Sequence, residues 1–288
     1  MEFQFTKIQG TGNDFVVIYE PSRERFAQIN KIEMCKQICP RKFGIGCDQL
    51  LILHPDKKAK ETNNDNKKTN NEASFEMRVF NSDGSEAQNC GNGLRAVGLY
   101  LLDREKIDSS LFSIHTIGGT YSGKVLSKEE NFGMIEVTFQ SPVIKKSFHE
   151  INIESKTFSG SLVNIGNPHF VIFCDLKSVS VTHDGPLIEK TFDGGINVEF
   201  AQVIENNNNI VTIKAFVWER GSGETLSCGS GASSIAWVIF QKFNKAKLVK
   251  IQMKGGEIQF RKINNQLVMM GPAKIIFDGK IKIYSTKK

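Results

Sequence analysis

The sequence predicts an α+β protein of two pseudo-symmetric halves, each a mixed, mostly β shell rolled around one apolar helix, and three observations carry that prediction. First, Cys90-Gly91-Asn92-Gly93 opens a run of strong helix formers, Leu94 to Leu102, that is apolar nearly all round. Such a run fits burial on every side rather than one face packed on a core. Second, the arrangement returns at Cys228-Gly229-Ser230-Gly231, which opens the apolar run Ser233 to Phe240. Setting Cys90 on Cys228 also sets Glu86 on Glu224, Gly91 on Gly229 and Gly93 on Gly231, about 138 positions apart, roughly half the chain. Third, the text around both helices reads as short strands divided by turn residues.

In chain order, Phe3 to Ile8 alternates as a strand, Gly10-Thr11-Gly12-Asn13-Asp14 makes a tight turn that presents Asn13, and Val16 to Tyr19 forms a second strand. A helix is predicted from Lys31 to Ile38 before Pro40, followed by Gly44-Ile45-Gly46-Cys47-Asp48-Gln49 and the strand Leu50 to Leu53. Residues 54–74 are rich in Asn, Lys, Asp and Thr with almost nothing apolar, so they cannot bury enough surface to offset their ordering entropy and read as a surface loop without function. The strand Phe75 to Phe80 then delivers the chain, through Asn81, to the first cysteine motif.

Strands follow at Ser113 to Ile117, Tyr121 to Leu126 and Met134 to Phe139, with a domain junction near Pro142. Ser161 to Phe173 repeats the opening of the chain, Gly166-Asn167 standing where Gly12-Asn13 stood at an offset of about 154, some 16 more than the cysteine offset. The 54–74 insertion is about that size. Asn197 begins a strand, Ile210 to Trp218 runs into Glu219-Arg220 and the second cysteine motif, and short strands close the chain at Leu248 to Met253, Glu257 to Phe260, Gln266 to Met270 and Lys274 to Phe277.

A chain of 288 residues with 40% apolar composition can bury a sizeable core in about two domains. The net charge of +6 is modest and scattered and no nucleic-acid motif is present, so nucleic acid is not an expected partner. No run approaches about 18 apolar residues and the amino terminus lacks a leader pattern, so no membrane is expected either and the predicted location is cytoplasmic. In that compartment the six cysteines stay reduced, and Cys35, Cys39 and Cys47, whose spacing is not a zinc pattern, read as buried packing residues together with Cys174.

The two cysteines at helix starts are different. Unpaired N–H groups and the positive end of the dipole favour a thiolate and hold an anion. Two such cysteines in matching contexts suggest a duplicated unit with one helix-mouth cysteine from each half facing a shared cleft.

With these residues in view, the chain resembles the diaminopimelate epimerases, through Gly12-Asn13-Asp14-Phe15, Gly44 to Leu50, Phe80 to Arg95, Gly166-Asn167-Pro168-His169, Asn197 and Glu219 to Gly231. The resemblance implies a cofactor-independent isomerase, with no metal, that interconverts LL- and meso-diaminopimelate in lysine and peptidoglycan precursor biosynthesis. Its catalytic pair would be Cys90 and Cys228, in a cleft between a first domain of residues 1–140 plus 273–288 and a second of residues 141–272. The implied substrate-binding residues are Asn13, Gln49, Asn81, Gly91, Asn92, Asn167, Asn197, Glu219, Arg220, Gly229 and Ser230. Arg220 would clamp the distal carboxylate, with Glu219, Asn81 and Asn197 completing recognition of the distal group. His169 reads as a residue that supports the site from behind or packs near it, rather than as a ligand. The only partner implied is the small-molecule substrate, and a homodimer stays open. Proline or hydroxyproline racemase is the alternative within the same fold, and a thiol redox or zinc-binding protein the alternative from another class.

Overall fold

The computed structural model describes residues 1–56, 73–104, 106–107 and 110–284. The chain forms two compact units, Met1–Val137 with Pro272–Lys288, and Thr138–Gly271. The predicted loop over 54–74 falls largely on residues 57–72, outside the described residues; its described flanks are paired strand ends, Pro55 opposite Phe75.

The first unit contains β1 (Glu2–Gly10), β2 (Asn13–Tyr19), β3 (Gln49–Pro55), β4 (Ala73–Asn81), β5 (Glu86–Ala87), β6 (Leu111–Thr116), β7 (Gly119–Glu129), most of β8 (Phe132–Gln140) and the second part of β17 (Gln266–Lys282). β17, β1, β2, β3, β4, β6, β7 and β8 pair in that order, and Ile275 N donates to the Asn131 carbonyl at 2.7 Å, so the sheet's two ends meet. Helix α3 (Gly91–Asp103) lies inside, with every residue from Asn92 to Leu101 buried. Helices α1 (Arg23–Ala27) and α2 (Lys31–Ile38) cover the outer face of the sheet.

Strands β2 and β3 therefore need apolar side chains on both faces, which is why Phe15-Val16-Val17-Ile18 and Leu50-Leu51-Ile52-Leu53 are continuous hydrophobic runs in a parallel pair. Val16, Ile18, Leu50 and Ile52 pack outward with Phe26, Met34, Cys35, Ile38, Cys39 and Cys47. Leu51 faces inward, its Cδ1 reaching the start of α3 at Gly93. The predicted packing role of Cys35, Cys39 and Cys47 fits this cluster; Cys39 and Cys47 lie Sγ to Sγ at 3.5 Å, and the hydrogen bond with Cys35 raises the Cys39 thiol to about 12.

The second unit repeats the plan. β9 (Val143–Ile153), β10 (Lys156–Asn164), β11 (Pro168–Phe173), β12 (Asn197–Asn207), β13 (Ile210–Glu219), β15 (Leu248–Met253), β16 (Gly256–Ile263) and the start of β17 pair in sequence, with β14 (Gly223–Thr225) added to β13. Helix α5 (Gly229–Lys242) packs against strands of this sheet with residues Gly231 to Phe240 buried. Helix α4 (Val181–Glu189) covers the outer face, burying Val181 and Ile188 among Phe158, Phe170, Ile172 and Phe200. Among the described residues no helix is long and apolar enough to cross a membrane.

Two sequence expectations change. The apolar reading of α3 overlooked Arg95, which is fully buried in the helix, its Nη2 donating to Thr11 Oγ1 at 3.3 Å. The 16-residue difference in offset is also not one insertion. Register sets Gln49 opposite Phe15 and Asn197 opposite His169, so the offset falls from 154 at Asn13 and Asn167 to 148 at Gln49 and Asn197, and to 138 at Asn81 and Glu219. About six of the extra residues thus precede β3, where the first unit carries two helices and the second carries one.

Gly98 shows how tightly the shell closes on α3: a Cβ there would lie 2.4 Å from Phe112 Cζ. In an open helix Gly→Ala gains about 1 kcal/mol; overpacking of this severity costs about 1–3 kcal/mol, so the clash wins. Gly98→Ala is expected to lower the thermal midpoint, and adding Phe112→Leu to restore much of it. Differential scanning calorimetry of the three proteins checks this.

Candidate active site

In the first unit, Asn13 opens β2, Gln49 opens the parallel β3 and Asn81 ends the antiparallel β4, so register alone brings three carboxamides to one edge of the sheet. Gln49 Nε2 donates to Asn81 Oδ1 at 2.8 Å, and Asn81 Nδ2 donates to Ser85 Oγ at 3.0 Å. The Gln49 Oε1 atom is buried with no hydrogen-bond partner among the described residues. The chain turns through Gly84, at φ 87°, and returns to the same edge as α3.

Cys90 is the N-cap of that helix. Its backbone is extended and its Sγ accepts from Gly93 N at 3.4 Å, taking the place of the Ser, Asp or Asn oxygen usual at this position. The thiol also reaches Asn13 Oδ1 at 3.7 Å, which accepts from Asn92 Nδ2 at 3.3 Å. Asn13 is held from its other end, Nδ2 donating to Asp48 Oδ2 at 2.8 Å. Asp48 in turn belongs to an ionic cluster: Arg41 donates to both oxygens of Asp14 at 2.8 and 2.7 Å and to Asp48 at 2.6 Å, while Lys7 pairs with Asp14 at 2.5 Å.

The second unit has matching positions. Asn167 precedes β11, Asn197 opens the parallel β12, Glu219 ends the antiparallel β13, and Cys228 caps α5 with its Sγ accepting from Gly231 N at 3.3 Å. Ser230 Oγ lies 3.3 Å from the sulfur. Glu219 accepts from Thr225 Oγ1 at 2.5 Å. Asn197 is 4% exposed and spends its amide inside the protein, Nδ2 donating to the Pro168 carbonyl at 2.8 Å and Oδ1 accepting from Arg220 N at 3.0 Å. Its carboxamide thus fixes the backbone at Arg220, whose exposed guanidinium donates to the Gly194 carbonyl at 3.1 Å.

The surroundings of the two sulfurs differ. Burial pushes the Cys228 thiol well up, and the carboxylates of Glu219 and Glu199 push it further; Ser230 and the Gly231 N–H pull the other way and do not compensate. The sequence expectation that a helix start favours thiolate is therefore outweighed at Cys228. Burial likewise raises the Glu219 carboxyl, against hydrogen bonds from Thr225 and Cys228. Near Cys90 the buried ion is a cation instead: burial pulls Arg95 down to about 10, while the field of Cys90 favours its charged form. His169 is 0% exposed, with Nδ1 2.6 Å from Glu199 Oε1 and Nε2 3.1 Å from Asn167 Oδ1, so it touches a predicted ligand residue from behind.

Comparison with known proteins fits this arrangement. The family model for diaminopimelate epimerase matches residues 5–143 and 161–276. The chain belongs to the diaminopimelate epimerase family. It is accordingly an isomerase, of the epimerase kind. A diaminopimelate epimerase from Carboxydothermus hydrogenoformans is 34% identical, the alignment covering 96% of this chain and 98% of the relative. One from Brachyspira hyodysenteriae is 31% identical over 98% and 100% of the two chains. Among solved structures, a probable proline racemase from Agrobacterium radiobacter superposes with a TM-score of 0.71 at 11% identity, over 98% of this chain and 93% of that one, a likeness of fold.

Within this family member, sequence reasoning missed Arg95, Glu199 and the Arg41–Asp14–Asp48 cluster. A lone charge inside each of two apolar runs, Leu94 to Leu102 and Val198 to Ala201, was the signal available for the first two. The ionic cluster carried none, because it forms only when β2 and β3 pair.

Burial raises the Asp14 carboxyl, but hydrogen bonds from Arg41 and Lys7 outweigh it and hold the group well below the usual carboxylate range. A depressed carboxyl contributes stability that is fully present above the unfolded value of about 3.9 and is lost as pH falls below it. Asp14→Asn removes the carboxylate that Lys7 and Arg41 share, leaving Arg41 with Asp48 and Lys7 with the Gly46 carbonyl, and should cost on the order of 1–3 kcal/mol at pH 7. It should also flatten the loss of stability between about pH 4 and pH 2. Urea unfolding of both proteins across that range checks magnitude and slope.

Proposed function

We propose that this chain interconverts LL- and meso-diaminopimelate without a cofactor, using Cys90 and Cys228 as paired acid and base. The observation that carries the reading is that each unit begins an apolar helix with a cysteine N-cap at the carboxamide-lined edge of its sheet. Relatives 31–34% identical over nearly the whole chain are diaminopimelate epimerases, which supplies the substrate.

The chemistry follows from the parts. An α-proton is weakly acidic, so a base must meet a carbanion stabilised elsewhere. The N–H groups of Gly91-Asn92 and Gly229-Ser230, at the positive ends of α3 and α5, would hold the substrate's α-carboxylate and take up negative charge as the proton leaves. One cysteine in thiolate form removes the proton from one face while the other, as thiol, delivers one to the opposite face. Burial and the nearby carboxylates of Glu219 and Glu199 raise the proton affinity of Cys228 and favour its thiol form. Asn13 and Asn167 would orient the reacting centre. Arg220, placed by Asn197, would clamp the distal carboxylate with Asn81, Gln49 and Glu219 nearby, giving the site a reason to reject small imino acids that have no distal group.

Incubating LL-diaminopimelate with reduced protein and resolving the stereoisomers should show conversion toward a mixture with the meso form. Cys90→Ala and Cys228→Ala should each abolish it, while Ala at Cys35, Cys39, Cys47 or Cys174 should cost stability at most. Folded wild-type protein that leaves LL-diaminopimelate unchanged, or either helix-start variant working at the wild-type rate, would contradict the assignment.

A further inference from the structure

A carboxamide can present either its oxygen or its nitrogen, and recognition of a charged ligand depends on which end faces it. In the second unit the strand end that corresponds to Asn81 carries Glu219, whose two oxygens leave no such choice. The first unit has Gln49 and Asn81 at its sheet edge and so has two amides to orient. The turn that follows β4 orients both.

Asn81 N donates to the Ser85 carbonyl and Gly84 N to the Asn81 carbonyl, each at 2.9 Å, so residues 81–85 form a closed turn. Gly84 has φ 87°, and a Cβ there would lie 2.6 Å from Ile32 Cα, which seats the turn against the first residues of α2. Asp83 Oδ1 accepts from Ser85 N at 2.8 Å and from Ser85 Oγ at 2.6 Å. The Asp83 side chain is exposed, and as a carboxylate it can only accept.

From that fixed end each hydrogen is determined. A hydroxyl has one hydrogen, and Ser85 gives it to Asp83, so the Asn81 atom 3.0 Å from Ser85 Oγ has to be the donor, Nδ2. Asn81 Oδ1 is then the atom facing Gln49 at 2.8 Å, where it accepts from Nε2. The end of Gln49 that remains is its carbonyl. Its Oε1 is buried with no hydrogen-bond partner among the described residues, a costly arrangement unless a ligand brings the donor.

We propose that Asp83 and Ser85 are positioning residues which, through Asn81, hold Gln49 with its carbonyl rather than its amide nitrogen offered to the substrate, to accept from an ammonium group; this rests on the reading of Gln49 and Asn81 as diaminopimelate ligands. Without the Ser85 hydroxyl, water takes its place beside Asn81, and water either donates or accepts. Both amides can then reverse together, and Gln49 offers N–H groups where the ammonium needs an acceptor.

Ser85→Ala and Asp83→Ala should each raise KM for diaminopimelate about five- to tenfold with a smaller effect on kcat, as expected when a hydrogen bond to a charged group is weakened. Ser85→Thr keeps the hydroxyl and should stay within about twofold of wild type. Pimelate, the same dicarboxylate without amino groups, is the control. It brings Gln49 no ammonium, so its inhibition constant should stay within about twofold of wild type in both Ala variants. A turn that merely shapes the site predicts instead that KM and the pimelate constant rise together. That result would overturn the proposal, as would a wild-type KM in either Ala variant or Thr failing as badly as Ala.

A second readout needs neither turnover nor a variant. Neutron diffraction from crystals of the free protein exchanged into deuterium oxide should place the Ser85 hydroxyl deuterium toward Asp83, the Asn81 amide nitrogen toward Ser85 and the Gln49 amide nitrogen toward Asn81. An Asn81 nitrogen facing Gln49 would overturn the proposal. If the deuterium positions agree but wild-type protein turns over no diaminopimelate, it is the substrate assignment that fails and not the orientation of Gln49.

Discussion

A helix buried on all sides begins with backbone N–H groups that no preceding turn can satisfy, and in each unit this constraint falls at the same place, the edge of the sheet wrapped around it. The chain meets it with a sulfur. Cys90 and Cys228 each accept the N–H three residues on, at 3.4 and 3.3 Å, and the glycines that follow keep the first turn narrow enough to fit beneath the strand ends. A thiol that must cap a buried helix is thereby also held at the positive end of a dipole, a place suited to an anion. Structural need and chemical opportunity coincide at one atom in each unit.

What surrounds those atoms has diverged between the units. Asn13 is fixed from the solvent side by Asp48, itself clamped by Arg41 with Asp14; Asn167 is fixed from beneath by His169 and Glu199. Arg95 lies in α3, and the equivalent place in α5 is held by Ser233. A buried cation lies near one sulfur, and carboxylates near the other raise its proton affinity. A reaction that needs one base and one acid benefits from that difference more than from perfect symmetry.

The parts of this account that could be read from the sequence are the ones written in short stretches: a Gly-Asn turn, a Cys-Gly-x-Gly helix start, an apolar run too uniform for a surface helix. Their recurrence gave the two-unit plan and both cysteines. The parts that could not be read depend on pairing between strands. That Gln49 corresponds to Asn197, and Leu51 to Glu199, follows only from the register of β2 with β3 and of β11 with β12, and the unequal connections hid it in the raw offsets. Helix α4 escaped because Gly185-Pro186 in its middle reads as a turn, while burial of Val181 and Ile188 holds it helical. Strand β9, exposed along most of its length, alternates only at its end, through Ile151 and Ile153, too short a signal to reveal it.

The central claim is that two different thiols handle the proton on opposite faces of one carbon. The most direct test is to run the reaction in deuterium oxide from either stereoisomer and analyse the earliest product and the remaining substrate by mass spectrometry. The thiol that delivers the proton exchanges with solvent between turnovers, so the account predicts deuterium at the inverted carbon of nearly all early product while unconverted substrate stays mostly protiated. Early product that retains the substrate's own protium would show a single group moving the proton from face to face and would contradict the two-thiol mechanism.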